Sequence, residues 1–390
     1  MIDVAIAGGG VAGSALAILL GRAGISVGLF EKSHFPREKP CGEGIMPAGV
    51  AALERLGLAD AVGGEPFYGI RYHAGPHTAR ARFPSISGAQ IVGRGQRRLH
   101  LDKTLFESAA GTSGVAARSG APVEGVLIER GRVRGVSVGG QPHGARLTII
   151  ADGLASPLRR RLGLNAHAES RARTGFRTHF GLAPGRPQEP WVDVFLGRGY
   201  ELYVTPLPNC ELLVAALVEA GAARDGAAAS LERWIVEQPS LAARLIGATR
   251  LTPFAGRAPL ARGARSGIAP GAVLLGDAAG YLDPITGGGI SQALLTAELL
   301  AAQMPQILAG GHRQLVEFER ARRALLRDYS LLTRLVLGLS RDHRLAALSV
   351  RTLRLLPPLF SHLVGVAAGM GSLFPSAAGN LMASLDRPNA

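Results

Sequence analysis

The residues of this chain best able to do chemistry lie in glycine- and acid-bearing stretches and in one short loop. The first stretch, VAIAGGGVAGSALAILLGRAGISVGLFEK, carries Gly8, Gly10 and Gly13 as G-x-G-x-x-G, with Glu31 lying 21 residues beyond Gly10. Glycines at that spacing let a backbone turn tightly, approach a pyrophosphate and pack a helix against a strand. The helix start that includes Val11 and Ala12 offers unpaired N–H groups and a partial positive charge to phosphates. An acid at the end of the following strand, next to Lys32, accepts hydrogen bonds from a ribose. These residue types specify a dinucleotide site. The short loop is EKPCGEGIMP, where Cys41, one of two cysteines, stands between Pro40 and Gly42. Proline and glycine keep that segment out of helix or strand interiors, so its thiol sits in a turn.

The elements that must position these groups follow from hydrophobic pattern. Val4–Ala7 reads as a short buried strand, followed by an Ala/Leu-rich helix of about ten residues that Gly24 ends, and Ile25–Phe30 as a second, parallel strand. A strand over Leu147–Ala151 runs into Asp152-Gly153, with Ser156 and Arg159 beyond. Another, Val273–Leu275, runs into Gly276-Asp277, a loop through Pro284 and Gly287-Gly288-Gly289, and a helix with Ile290, Ala293, Leu294, Ala297 and Ala301 on one face. Between them, WVDVFLGRGYELYVTPLPNCELLVAALVEA alternates with period two and turns at Pro208-Asn209, which predicts antiparallel sheet.

Over roughly residues 1–310 the chain resembles the flavoprotein superfamily of FAD-dependent aromatic hydroxylases (group A flavin monooxygenases), flavin halogenases and geranylgeranyl reductases. The N-terminal glycine motif, the mid-chain Asp-Gly and the C-terminal Gly-Asp occur in order, and RRLHLDKTLFESA supplies an Arg-x-x-Leu-Asp-x-x-Leu element at Arg98, Leu101, Asp102 and Leu105. The resemblance implies an α/β fold: a Rossmann-like FAD-binding domain of glutathione-reductase type, an inserted antiparallel β-sheet substrate domain and a helical C-terminus. The expected boundaries are 1–68, 92–172 and 256–312 for the discontinuous FAD domain, 69–91 and 173–255 for the sheet, and 313–390 for the helices. It implies that Glu31 holds the ribose, Asp277 the ribityl chain and Gly287–Gly289 with Ile290 the pyrimidine edge of the flavin. Asp152, Gly153, Arg98, Arg37 and the Cys41-Gly42 loop would complete the cofactor contacts. Trp191, Tyr200 and Tyr203, on the sheet, are the candidate substrate contacts.

Composition narrows the partners. The net charge of +14 comes from forty arginines but only three lysines, Lys32, Lys39 and Lys103, scattered along the chain. That spread is compositional and gives no nucleic-acid module. The ten histidines show no paired spacing for a metal, and two cysteines give no disulfide framework, as in a reducing, cytoplasmic compartment. Leu355–Leu385 contains no charged residue but is broken by Pro357, Pro358 and Pro375, and the preceding Arg313–Arg354 holds ten arginines against four acids. The stretch reads as apolar helices packed on the body of the protein, with peripheral membrane contact, helped by the basic segment before it, as the alternative.

For the chemistry, KPCGEGIMP and DPITGGGI resemble the loops of geranylgeranyl reductases. Their Tyr-x-Trp-x-Phe-Pro strand, however, is here ELYVTP, with Glu201, Tyr203 and Thr205 in the aromatic positions. Resemblance to the flavin halogenases would imply their W-x-W-x-I-P motif, and the two tryptophans here, Trp191 and Trp234, lie far apart, which argues against halogenation. The favoured expectation is a monooxygenase acting through a flavin hydroperoxide, with O₂ and transient NAD(P)H, on a phenolic or polyketide-type apolar substrate. Reduction of isoprenoid double bonds, with Cys41 as proton donor, is the alternative, and a non-enzymatic flavin-bound redox sensor the third reading.

Overall fold

A strand buried on both faces pairs in parallel on each side, and Val4–Ala7 is fully enclosed. In the computed structural model, which describes residues 1–85, 88, 90–166 and 173–374, strand Ile2–Ala7 lies between Val27–Phe30 and the second half of Gln141–Ile150. Val115–Arg118 and Ala272–Leu274 extend this parallel sheet on either side. The first half of Gln141–Ile150 pairs antiparallel with Arg132–Val138, which pairs in turn with Val123–Glu129. Register then decides where the site lies. Ala7 is level with Phe30 and Ile150, and Ile150 with Leu274. Gly8, Glu31, Ala151 and Leu275 therefore all leave the sheet at its carboxyl edge, where open α/β sheets bind ligands.

The second strand starts at Val27 rather than Ile25 because side chains replace the ladder at its entrance. The Asp3 carboxylate accepts the Ser26 hydroxyl at 2.7 Å and its N–H at 3.2 Å, while Asp3 N–H donates to the Ser26 hydroxyl at 2.9 Å. The glycine helix, Val11–Arg22, is buried nearly all round. It packs between helices Arg98–Ala110 and Gly289–Gly310, so its apolar residues need no single stripe.

The second sheet runs Thr174–Gly181, Glu211–Val218, Tyr200–Leu207, Val192–Leu196, with Gly69–Ala74 and His77–Arg82 beyond. All neighbours in this run are antiparallel except Val192–Leu196 with Gly69–Ala74. Asp193 is buried at its centre, held by Arg71 through two bonds of 2.7 and 2.9 Å, by His73 at 2.8 Å and by Arg244 at 2.6 Å. Burial pushes its carboxyl up, but the His73 and Arg71 bonds outweigh that and hold it below the usual range. A depressed carboxylate stabilises the fold above its unfolded pKa of about 3.9 and loses that contribution as pH falls through the folded value. Asp193→Asn should therefore flatten the acid limb of the stability–pH curve below about pH 4, read by urea denaturation. An unchanged acid limb would contradict the assignment.

Helices Arg327–Ser340, His343–Leu355 and Pro357–Ala367 cover one face of this sheet. Leu332, Val350, Phe360 and Val364 share a core with Phe67, Ile70 and Val194. Pro357 and Pro358 occupy the first turn of the last helix, where a missing N–H is harmless. Of the uncharged stretch Leu355–Leu385, the part from residue 375 onward, Pro375 included, lies outside the described residues. No helix among the described residues is long and apolar enough to cross a membrane.

Candidate functional site

At the carboxyl edge the glycine turn is dictated by contact. Gly8 has φ +110°, and a Cβ there would overlap the Ala151 carbonyl; a Cβ on Gly13 would overlap the Gly8 carbonyl oxygen. The helix start is thereby pressed against the strand end, leaving Gly10, Val11 and Ala12 on the wall of a cavity of about 840 Å³. Glu31 also lines it; its oxygens accept N–H bonds from Gly9 at 2.8 Å and Ser33 at 3.0 Å. Each oxygen keeps a further lone pair for a ligand hydroxyl. Lys32 and Arg37 continue the wall. Arg37 reaches Asp102 at 3.1 Å, and Arg98 grips the same carboxylate through bonds of 2.8 and 2.9 Å. Burial pushes the Asp102 carboxyl up, yet the Arg98 charge outweighs it and holds the group low.

Two further acids close this half. Asp152 is pushed up by burial, offset in part by Ser156. Its Oδ2 accepts the Leu158 N–H at 3.3 Å, but its buried Oδ1 has no partner. Gly153, Gly276 and Asp277 also face the cavity, with Lys39 Nζ 3.7 Å from Asp277. Pro284, Gly287, Gly289 and Ile290 form the far lip. The expected trio of glycine amides is divided. Gly288 N–H donates to the Tyr329 hydroxyl at 3.0 Å, and that ring fills the space a Cβ would need. A glycine cradle at a helix start, an acceptor pair on Glu31 and an orphaned carboxylate oxygen on Asp152 fit a dinucleotide such as FAD.

The Cys41 loop also lines the cavity, tied on one side to Arg98 and on the other to the second sheet at Thr205. Cys41 Sγ accepts the Glu43 N–H at 3.4 Å, and Thr205 donates to the Gly42 carbonyl at 2.8 Å. Glu43 has φ +55°, a left-handed conformation uncommon for a side-chain-bearing residue. Its carboxylate is fully buried, accepting the Arg98 N–H at 2.9 Å and meeting His179 Nε2 at 2.8 Å, while His179 Nδ1 reaches Thr252 at 2.8 Å. This pair bolts the loop to the second sheet. The sequence reading did not find it, because a lone histidine on a strand carries no spacing signal.

Of the three aromatic residues expected at the substrate, only Tyr203 lines the cavity. Tyr200 is on the other face of its strand, as period two requires for an odd offset, stacked on Trp234 and donating to Glu237 at 2.7 Å. Trp191 lies under the guanidinium groups of Arg71 and Arg82. Tyr203 donates to Glu201 at 2.8 Å, and Glu201 meets Arg173 at 2.8 Å; the same Arg173 binds Asp283. Asp283 in turn accepts the Ile285 N–H at 3.0 Å, so the sheet is tied to the glycine lip through buried charge. Beyond Tyr203 the cavity is hydrocarbon: Ile70, Val194, Leu332, Val336, Phe360 and Val364. Burial holds the hydroxyls of Tyr72, Tyr203 and Tyr281 well above the usual tyrosine range, so each remains a neutral donor.

The FAD binding domain family matches residues 1–329 of the chain. A menaquinone reductase of Mycolicibacterium smegmatis is 33% identical over 333 residues, taking in 77% of this chain and 76% of the relative. Squalene epoxidase 2, mitochondrial, of Arabidopsis thaliana is 29% identical over 313 residues, 75% of this chain and 52% of that protein. Among solved structures, a flavoprotein/dehydrogenase from Cytophaga hutchinsonii shares the fold with a TM-score of 0.82 over 94% of this chain and 93% of the other, at 22% identity.

Proposed function

Because the chain belongs to the FAD binding domain family of flavoproteins, we propose that this FAD-dependent oxidoreductase reduces a carbon–carbon double bond of an isoprenoid chain. The observation that carries this reading is the far half of the cavity, walled by hydrocarbon and faced by tyrosines that burial keeps protonated. Hydroxylating a phenol calls for a group that removes the phenolic proton, and neutral buried tyrosines do the opposite. An extended alkene chain needs only hydrocarbon walls, and its burial releases about 25 cal/mol per Å² of apolar area. The similarity to a menaquinone reductase supports the same substrate class, since a menaquinone carries an isoprenoid tail.

FAD, when bound, supplies the hydride of such a reduction. In this proposal Gly10, Val11, Ala12 and Glu31 hold its pyrophosphate and ribose, Asp152 and Asp277 its ribityl side, and Gly287, Gly289 and Ile290 its pyrimidine edge. NAD(P)H acts as a transient donor, the sequence having no second G-x-G-x-x-G. Cys41 holds the proton that the second alkene carbon receives. Its thiol lies in the loop between the cofactor half and the hydrocarbon half, fixed by the Glu43 N–H. Oxygenation of the same kind of double bond is the second reading, favoured by the similarity to a squalene epoxidase.

Product mass separates them. The FAD-loaded protein is given NADPH and a polyprenyl quinone, any quinol is then reoxidised with ferricyanide, and the recovered quinone should carry two more hydrogens in its isoprenoid tail, with or without air. A product carrying one more oxygen, formed only in air, would overturn the reduction in favour of oxygenation. Cys41→Ala should keep its flavin but lose about 10²-fold in kcat; parental turnover would remove the thiol from the chemistry.

A further inference from the structure

Three helices, Arg327–Ser340, His343–Leu355 and Pro357–Ala367, wall the hydrocarbon half of the cavity, and each brings to it a leucine that is also exposed. Leu335, Leu348 and Leu359, one from each helix, line the cavity yet are 53%, 57% and 43% exposed. Around them Leu345, Leu355 and Leu356 are 45–71% exposed without lining it. On helix His343–Leu355 the residues Arg344, Leu348, Arg351 and Leu355 are spaced at i, i+4, i+7 and i+11, so arginines and leucines share one outward stripe. From His343 to Ala367 there are three arginines, Arg344, Arg351 and Arg354, all exposed, and no acid.

We propose that this face docks on a lipid bilayer bearing anionic headgroups, and that the leucine rim is the doorway by which a lipidic substrate passes from bilayer to cavity. Two observations select a membrane as the occupant. Leucines interleaved with arginines match the interfacial layer, where apolar side chains enter the acyl boundary and guanidinium groups pair with phosphates. The exposed leucines are also continuous with a hydrocarbon-lined interior, so an apolar chain would meet no water between the two. The doorway rests on the isoprenoid reading of the cavity; the docking does not.

The test measures docking without turnover. The FAD-loaded full chain is co-sedimented with vesicles of phosphatidylcholine alone and of phosphatidylcholine with phosphatidylglycerol. Binding to the anionic vesicles is expected, weakened at least tenfold in a Leu345→Glu/Leu355→Glu variant and about fivefold per charge in Arg344→Gln and Arg351→Gln. Flavin content and circular dichroism matching the parent confirm that each variant is folded. The leucine variant should turn over detergent-dispersed polyprenyl quinone like the parent but fail on vesicle-embedded quinone. Equal sedimentation of parent and leucine variant overturns the proposal. So does binding seen only in a chain ending at Phe374, which would give the face to residues 375–390, or a parent dimer that the variant abolishes with no vesicle effect. If no isoprenoid is reduced while sedimentation behaves as stated, the function reading fails and the docking stands.

Discussion

Replacing Arg173 with methionine is expected to cost about 3–5 kcal/mol of stability at neutral pH and to weaken FAD binding. Arg173 is buried, and its guanidinium fork holds Glu201 and Asp283, which are themselves only 4% and 5% exposed. Methionine fills much of the volume but leaves two buried carboxylates without a cation. Two like charges would then sit in a desolvated site with no cation to offset them. Acid, by neutralising unpaired buried carboxylates, relieves a cost of that kind. The deficit of the variant should therefore shrink as the solution is acidified, the reverse of the Asp193 behaviour. Urea denaturation of parent and variant at about pH 7.5 and about pH 5 reads both effects. A loss below about 1 kcal/mol, or one that does not change with pH, would show that the network carries little charge. The effect on FAD has a separate cause. Asp283 fixes the Ile285 N–H at the start of the loop that presents Gly287 and Gly289 to the cavity, so loosening it disorders the lip.

That network also marks where sequence reading ends. The glycine turn, Glu31, Asp152 and Asp277 are legible because each follows a short apolar strand, and parallel register brings strand ends to one edge. Period two separates Tyr203 from Tyr200 once Glu201, Tyr203 and Thr205 are placed on one face; naming both tyrosines as substrate contacts ignored that alternation. Arg173, Glu201 and Asp283 come from three separate segments, and a buried ion triad leaves no pattern in any of them. Glu201 stands where an aromatic residue was sought, and its role is visible only when Arg173 lies opposite. The apolar wall was half visible: Leu355 onward read as uncharged helix, but nothing in the sequence says that Phe360 and Val364 pack against Ile70 and Val194. Without that contact the cavity has no far half. The choice between a phenolic ring and an alkene chain then rested on the Cys41 and DPITGGGI loops set against the ELYVTP strand.

Gly13→Ala should give a folded protein without yellow colour, its FAD affinity lowered by at least about 10²-fold. By helix propensity alone the change is favourable by about 1 kcal/mol, since alanine replaces glycine inside helix Val11–Arg22. The contact geometry opposes it. The new Cβ would overlap the Gly8 carbonyl oxygen and stand 3.2 Å from Ile6 Cγ2, both on the central strand side. Backbone cannot swing aside as a side-chain end can, so the helix must retreat from the strand, at about 1–3 kcal/mol for such overpacking. The two terms nearly offset in stability but not in function. A retreat of the helix start moves the Gly10–Ala12 amides away from the phosphates they must meet at hydrogen-bond distance. Gly24→Ala supplies the contrast. Gly24 has φ +75° and open space around it, so alanine there costs about 1 kcal/mol of backbone strain while leaving the cradle intact. Flavin absorbance after purification and FAD titration of the apoprotein read the outcome. If Gly13→Ala retains stoichiometric FAD at parental affinity, close helix–strand packing is not what builds the pyrophosphate cradle. If Gly24→Ala alone loses flavin, cofactor binding follows global stability rather than the geometry of the turn.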